Sequence, residues 1–199
     1  MSFWSTNFGE SDTPLKDPKR QFRFTITIDG IDSQNGGSLM WYAKSVTKPV
    51  FTVAEAEHKY LNHTFYYPGA ITWNAIDIKM VDPGGDPDSA ATLAAIVTAA
   101  GYTPPTKATN DDMTSMSKAK AVGALGTVKI SQIDSDGKPV ESWTLWNAWV
   151  QEVDFGGSLE YGTDTLNELG LKLRYDWARI ETVNGSSARA LGGTTFFQS

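Results

Sequence analysis

The chain has 199 residues, with 17 Lys plus Arg against 23 Asp plus Glu and a formal net charge of −6. This acidic balance argues against a nucleic-acid binder held by phosphate contacts, because such a protein needs a basic face. The sequence has no cysteine, which excludes disulfides, thiol catalysis and cysteine-ligated metals. The length predicts one domain with a sizeable core, and the first residues show no pattern of a secretory signal.

The first part of the chain predicts an arm followed by two strands. Residues 1–19 have no periodicity, and their aromatic side chains fit packing on the same domain or docking on a neighbouring subunit about equally well. These aromatic residues are Phe3, Trp4 and Phe8. Alternation predicts strands over Gln21–Ile28 and Leu39–Val46, and we expect the two to pair.

The next extended run, Phe51–Tyr60, is unusual because neither of its faces is strongly hydrophobic. On one face lie Glu55, Glu57 and Lys59, and small residues alternate with them. A strand of this kind does not cover a core by itself. A solvated face explains the two glutamates better than acid–base catalysis does.

An aromatic cluster follows this run and predicts a hairpin that contacts a second subunit. Pro68-Gly69 suits the centre of a type II turn, and Ile71–Val81 is the predicted returning strand. Aromatic residues beside a turn are either a local cluster or the means by which one subunit grips another. The predicted interface residues are Phe65, Tyr66, Tyr67 and Pro68.

Asp88–Ala100 is predicted as a helix, with Asp88 as its N-cap and Gly101 after its C-terminus. No residue from Ser89 to Ala100 is charged, which indicates that a second surface covers or closely approaches the helix. The polar segment 102–126 predicts at most a short helical turn around 113–122. A further strand and a hairpin turn follow it, at 127–133 and 134–137.

The C-terminal third holds two strongly patterned segments. Trp143–Val150 is apolar on both faces, which predicts a central strand buried on both sides. Glu168–Trp177 alternates cleanly and predicts a strand with one packed face, and a Gly-rich crossing joins the two segments. Its packed face carries Leu169, Leu171, Leu173, Tyr175 and Trp177. Of these, Leu171, Leu173 and Tyr175 are expected in the core of the sandwich. Residues 180–199 predict a C-terminal arm.

The sequence contains no recognisable catalytic or metal-binding pattern, so it predicts neither an enzyme nor a cofactor. His58 and His63 lack acidic partners at metal-site spacing. Asp82, Asp86 and Asp88 flank prolines or cap the helix, which explains them better than a metal does. No nucleotide-binding or nucleophile-elbow motif occurs.

The stretch "WTLWNAWVQEVDFGGSLEYGTDTLNELGLKLRYDWARIE" resembles the C-terminal part of tail tube proteins from phages with contractile tails. The order of patterns from "RFTITI" through the aromatic hairpin and the single helix extends this resemblance over roughly residues 20–178. The most specific pieces are the tryptophan strand and the "RYDW" motif. The long polar linker and the long C-terminal tail depart from the family pattern.

The resemblance implies a mostly β fold, a β-sandwich or partial barrel with one flanking helix and a long protruding hairpin. It implies an arm at 1–19, a tube domain at 20–179 and a second arm at 180–199. Six copies would form a ring, with one sheet per subunit continuing into the next to close a 24-stranded barrel. The rings would stack into a hollow tube inside a contractile sheath, and DNA would cross its lumen without specific binding.

By the same resemblance, the partners would be copies of the chain and the sheath, tape measure and baseplate proteins. The tube would belong to a virion tail assembled in the host cytoplasm. Related injection machines, such as a tailocin or a type VI secretion-like apparatus, are the alternative. A carbohydrate-binding sandwich that stacks sugars on Trp143, Trp146 or Tyr66 is a third reading.

The lumen wall is assigned from charge patterning, because a surface that DNA passes should be polar and should not be basic overall. The face with Glu55, Glu57 and Lys59 is the favoured candidate. The wet face of the last strand is the second candidate, with Glu168, Lys172, Arg174 and Asp176. An ordinary solvated outer surface would explain either set.

Overall fold

A computed structural model of the chain describes residues 18–30, 43–83, 88–104, 115–157, 159–162, 164–182 and 195–196. The fold is mostly β. The strands are β1 (Phe24–Ile28), β2 (Ala43–Val46), β3 (Phe51–Tyr60), β4 (His63–Trp73), β5 (Ile76–Val81), β6 (Val128–Ile133), β7 (Pro139–Trp146), β8 (Trp149–Asp154), β9 (Glu168–Arg174), β10 (Trp177–Thr182) and β11 (Thr195–Phe196). The helices are α1 (Ser89–Ala99) and α2 (Lys118–Leu125).

Two antiparallel sheets pack face to face, which confirms the predicted β-sandwich. The five-stranded sheet has the order β1-β6-β7-β10-β11, and the four-stranded sheet has the order β2-β5-β9-β8. Alternate residues of the inner strands are buried between them, as period-two patterning requires. The largest fully buried side chains are Ile26, Ile28, Ile76, Ile78, Met80, Leu93, Leu125, Val128, Leu169, Leu171 and Leu173.

Two long chain segments pass from one sheet to the other at a shared corner. β7 ends at Trp146 in the five-stranded sheet, and after Asn147 the chain enters the four-stranded sheet as β8. β9 and β10 make the reverse passage around Asp176. Asn147 has a φ of 53°, and its side-chain amide donates to the Asp176 carboxylate at 2.8 Å. The Asp176 amide donates to the Trp146 carbonyl at 3.0 Å, which fixes both bends together.

The predictions of single strands over Trp143–Val150 and Glu168–Trp177 are therefore wrong at this corner. Trp146 and Trp177 lie directly opposite each other and stack with ring centroids 5.9 Å apart, but both remain exposed. Leu169, Leu171, Leu173 and Tyr175 are buried as predicted. Trp177 is exposed, because the bend before it places it on the outer face of the five-stranded sheet.

Helix α1 begins and ends as the sequence predicts. The Asp88 carboxylate accepts from the Ala91 amide at 3.1 Å, and Gly101 follows the helix with a φ of 104°. A second helix, α2, corrects the expectation of one flanking helix. Ser117 caps it by accepting from the Lys120 amide at 3.3 Å. Neither helix is long and apolar enough, within the described residues, to cross a membrane.

Two further sequence predictions change in the structure. β2 does not pair with β1 but with β5, because β1 lies in the other sheet beside β6. The part of the predicted strand at 39–42 lies outside the described residues, as do residues 1–17 of the predicted N-terminal arm. In the predicted C-terminal arm, β10 runs to Thr182, and β11 pairs with it antiparallel.

Candidate assembly interface

β3 and β4 form a two-stranded sheet of their own, here called the ribbon (Phe51–Trp73). Within the described residues, neither strand pairs with a strand of either sheet of the sandwich. Every residue of β3 is exposed, and β4 is buried only at its end, Trp73. An isolated two-stranded hairpin is marginally stable in water. The ribbon therefore has no core of its own to hold it in place.

The turn of the ribbon lies at Leu61-Asn62, so the predicted turn at Pro68-Gly69 is wrong. Leu61 takes a φ of 51° there and is 88% exposed. Pro68 instead lies inside β4 opposite Glu55, next to a shift in register. Proline is tolerated at that place because, within the described residues, the edge of β4 away from β3 has no strand partner that would need an amide.

The strand register divides the predicted interface residues between the two faces of the ribbon. Tyr66 lies opposite Glu57, and Pro68 opposite Glu55, so these four share one face. That face, here called the charged face, also carries Lys59. Its base is apolar and comprises Phe51, Val53, Ile71 and Trp73. The opposite face, here called the aromatic face, carries Ala54, Ala56, His58, Tyr60, His63, Phe65 and Tyr67.

The ribbon concentrates exposed apolar surface. Its large exposed hydrophobic residues are Phe51, Val53, Tyr60, Leu61, Phe65, Tyr66, Tyr67 and Ile71. Isolated exposed hydrophobics are ordinary, but a group of them on one exposed element makes that element a candidate interaction site. The charges beside them are weakly paired, since Lys59 Nζ and Glu57 Oε2 are 3.9 Å apart and solvated.

A groove of about 640 Å³ opens at the base of the ribbon, where β4 meets α2 and the shared corner. It is lined by Ile71, Thr72, Trp73, Met116, Ser117, Lys118, Ala121, Trp149, Arg174, Tyr175 and Asp176. Lys118 pairs with Asp176 at 2.7 Å. The hydrogen bonds from Lys118 and Asn147 hold the pKa of Asp176 below its usual value. Burial raises the pKa of Tyr175 to about 12.

Comparison with known proteins shows which solved structures this chain resembles in fold. No protein-family model matches the sequence, and no curated protein matches it. A chain of the PVC extracellular contractile injection system, from its sheath/tube terminator in the extended state, matches with a TM-score of 0.58 at 12% identity. The match covers 85% of this chain and 100% of that chain.

Two more solved structures agree. A chain of the anti-feeding prophage baseplate matches with a TM-score of 0.55 at 13% identity, over 85% of this chain and 99% of that one. A chain of the PVC sheath-tube complex matches with a TM-score of 0.54 at 14% identity, over 85% and 95%. The chain has the fold of contractile injection system components.

The four-stranded sheet of this fold has a polar outer face that the sequence revealed only in part. Asp77, Lys172 and Glu152 lie side by side across three strands, and the Lys172 and Glu152 side chains are 3.9 Å apart. The charged residues of this sheet that do not enter the core are Lys44, Asp77, Lys79, Glu152, Asp154, Glu168, Lys172 and Arg174. Four are cations and four are anions, so the face is neutral.

Ion pairing fixes part of this face. Lys44 and Glu168 form a salt bridge that joins β2 to the first residue of β9. The hydrogen bond from Lys44 is the main reason why the pKa of Glu168 lies below its usual value. Glu168, Lys172 and Arg174 were visible in the sequence as the wet side of one strand. Their partners were not, because the neighbours of β9 come from distant segments.

Proposed function

We propose that the chain is the ring-forming subunit of the inner tube of a phage contractile tail. In this proposal six copies form a ring, rings stack into a hollow tube inside a contractile sheath, and DNA crosses the lumen. The single observation that carries the proposal is the ribbon, which exposes large apolar side chains on both of its faces in a chain with this fold. A subunit whose longest hairpin has no core face gains its packing from other copies.

The sheet edges support closure into a ring. The four-stranded sheet ends in β2 on one side and β8 on the other. Within the described residues both outer edges lack a strand partner, and unpaired edges invite pairing with another chain. Four strands from each of six copies would give the 24-stranded barrel that the family resemblance implies. A closed barrel has no edges left to aggregate.

The channel wall has two candidates in this arrangement. The charged face of the ribbon, with Glu55, Glu57 and Lys59, is the one favoured from the sequence. The outer face of the four-stranded sheet is the one that barrel closure favours, since a sheet that continues across copies presents that face to the axis. Its balanced charges would neither trap phosphate nor repel it strongly.

An extracellular injection machine is the second candidate function, because the solved structures similar in fold include chains of PVC and of the anti-feeding prophage. The subunit would form the same kind of tube there. Sheath, baseplate and tape measure proteins are the proposed partners in either machine. Purified particles decide between them: a DNA-filled capsid supports the phage tail, and capsid-free tubes support the injection machine.

Electron microscopy of the purified protein tests the proposal. We expect rings or tubes from the natural chain and folded, unassembled protein after Phe65, Tyr66 and Tyr67 are changed together to Ser. The matched control changes Leu166, an exposed residue of the β8–β9 loop, to Ser. Dispersed monomers at every concentration of the natural chain would refute the proposal, and normal tubes from the triple variant would remove the ribbon from the interface.

The absence of cysteine allows a clean test of the channel wall. Tubes are assembled from variants with a single cysteine in place of Glu57 or Glu152. A cysteine in the lumen should react with a small maleimide but not with a polymer-linked maleimide too large to enter. A position that reacts equally with both reagents lies on the outside of the tube.

A further inference from the structure

A cleft opens between the two sheets at one edge of the sandwich and is here called the edge cleft. Its walls come from β1 and β2, which are edge strands of the two sheets, and from β6 and β7. Its volume is about 670 Å³, so it can receive several large side chains. Its apolar lining comprises Phe24, Val46, Ile130 and Trp143. Because Ile130 is only 2% exposed, the edge cleft reaches the core of the sandwich.

The edge cleft leaves a large aromatic side chain uncovered. Phe22 lines it and is 74% exposed. Protein interiors are close-packed, so an apolar space of this size beside the core favours an occupant. Within the described residues, the outer edge of β1 also has no strand partner, and proteins often protect such an edge by covering it with a loop. An apolar segment in the edge cleft would cover both Phe22 and this edge.

The start of the described chain is fixed at the mouth of the edge cleft. Gln132, which lines the cleft, donates from Nε2 to the Arg20 carbonyl at 3.1 Å. Lys19 pairs with Glu141, and the same carboxylate accepts from Lys48 of the cleft wall at 2.7 Å. The N-terminal segment of the chain therefore begins beside the edge cleft.

This N-terminal segment, residues 1–17, lies outside the described residues, and its composition suits the edge cleft. It contains three large aromatic residues, Phe3, Trp4 and Phe8. Its charged side chains are Glu10, Asp12, Lys16 and Asp17. Three carboxylates against one ammonium group give these side chains a net charge of −2.

The rim of the edge cleft carries the opposite charge. Three ammonium groups and the two carboxylates that pair with them lie there, and they belong to Lys19, Lys44, Lys48, Glu141 and Glu168. The rim therefore has one positive charge in excess among these five residues. An aromatic segment with a net negative charge fits an apolar cleft with a positive rim.

The covalent connection favours the same chain as the source of the occupant. Phe8 precedes Pro18 by ten positions, so an extended chain spans up to about 35 Å between them. A segment joined to its site by a short linker meets that site at an effective concentration in the millimolar range. A separate copy at micromolar concentration does not compete with this.

We propose that the N-terminal segment of each chain docks in the edge cleft of the same chain. Its aromatic side chains pack against Phe24 and Trp143, and its carboxylates lie towards Lys44 and Lys48. The docked segment completes the sandwich at its open edge. This inference goes beyond the proposed function and does not depend on it, because the contact forms within one chain.

Photo-cross-linking in the full chain tests the inference. p-Benzoylphenylalanine replaces Phe8, and protein labelled with heavy nitrogen is mixed with unlabelled protein before irradiation. Mass spectrometry then identifies the linked peptides. We expect position 8 to link to the cleft stretches 21–24 and 44–48. Each linked pair should be wholly labelled or wholly unlabelled, because both of its ends belong to one chain. Position 4 serves in the same way if the change at position 8 lowers the yield of folded protein.

Matched variants separate the possible outcomes. p-Benzoylphenylalanine at Tyr102, which is 53% exposed and follows helix α1, should give no link to the cleft stretches. Glu10→Lys with Asp12→Lys should lower the yield of links from position 8, most strongly at low salt. Pairs of one labelled and one unlabelled peptide would show that another copy fills the edge cleft, which overturns the inference. Absence of links to the cleft overturns it too, as does a yield that the charge reversal leaves unchanged. None of these results requires that rings form, so the proposed function is tested separately.

Discussion

Glu141 ties three distant parts of the chain together, and its charge should contribute measurably to stability. It lies on the inner side of β7 and is 7% exposed. Its carboxylate accepts from Lys48 Nζ at 2.7 Å and from Trp143 Nε1 at 2.6 Å, and it pairs with Lys19. Burial alone would raise its pKa, but the hydrogen bonds from Lys19, Lys48 and Trp143 outweigh burial and lower the pKa to about 2.

The direction of the pH effect follows from this lowered value. The pKa falls from 4.5 in the unfolded chain to about 2 in the folded protein. The charged form therefore stabilises the fold above about pH 4.5, and the contribution is lost as the pH falls towards about 2. One pKa unit corresponds to about 1.4 kcal/mol, and both lysines are nearly half exposed, so we expect about 2–3 kcal/mol.

Urea unfolding of the natural chain and of Glu141→Gln, followed from about pH 7 to about pH 2.5, measures this contribution. The difference in unfolding free energy should be about 2–3 kcal/mol at neutral pH and should approach zero at the acid end. Glu160→Gln, an exposed change in the β8–β9 loop, controls for general loss of charge. A difference between natural chain and variant that stays constant with pH would refute the reasoning.

Two further predictions concern stability and use matched pairs. Leu171→Ala should lower the free energy of unfolding by about 2–5 kcal/mol because Leu171 is 2% exposed, whereas the same change at Leu166, which is 74% exposed, should cost less than about 0.5 kcal/mol. Gly156→Ala should cost about 1–3 kcal/mol, since Gly156 has a φ of 93° and an added Cβ would lie 2.1 Å from Asn167 Oδ1. Gly157→Ala meets nothing within 4 Å and should cost less. Equal losses within either pair, measured by urea unfolding, would contradict the prediction.

Local patterns predicted the parts of this fold whose causes are local. The helix α1 was recognisable because its N-cap and its terminal glycine directly flank it in the sequence. The alternation of Leu169, Leu171 and Leu173 predicted one buried face, since period-two patterning depends only on neighbours in sequence. β3 was predicted with its observed bounds and with its lack of a core face, because both follow from its own composition.

The corner and the ribbon turn show what local patterns miss. Asn147 and Asp176 hold two bends together across 29 positions of sequence, and neither bend carries a glycine or proline that would mark it. The opposite error occurred at Pro68-Gly69, which has the composition of a turn but lies inside a strand. The free edge of β4 and the register shift beside Glu55 make the proline acceptable there. At the corner and at Pro68-Gly69 alike, contacts with other parts of the chain determined the structure, rather than the local sequence propensities.

Because the ribbon lies almost entirely outside the sandwich core, its proposed role in assembly can be tested separately from folding. The sandwich core is built from the inner faces of two sheets, and among ribbon residues only Trp73 belongs to its buried cluster within the described residues. Trp73 packs against Tyr175 with ring centroids 6.0 Å apart, which anchors the base of the ribbon and no more of it. Aromatic residues farther along can therefore be lost without opening a cavity in the sandwich. Because folding does not require those side chains to be apolar, their presence on a solvent-exposed element supports the proposed contact with another chain.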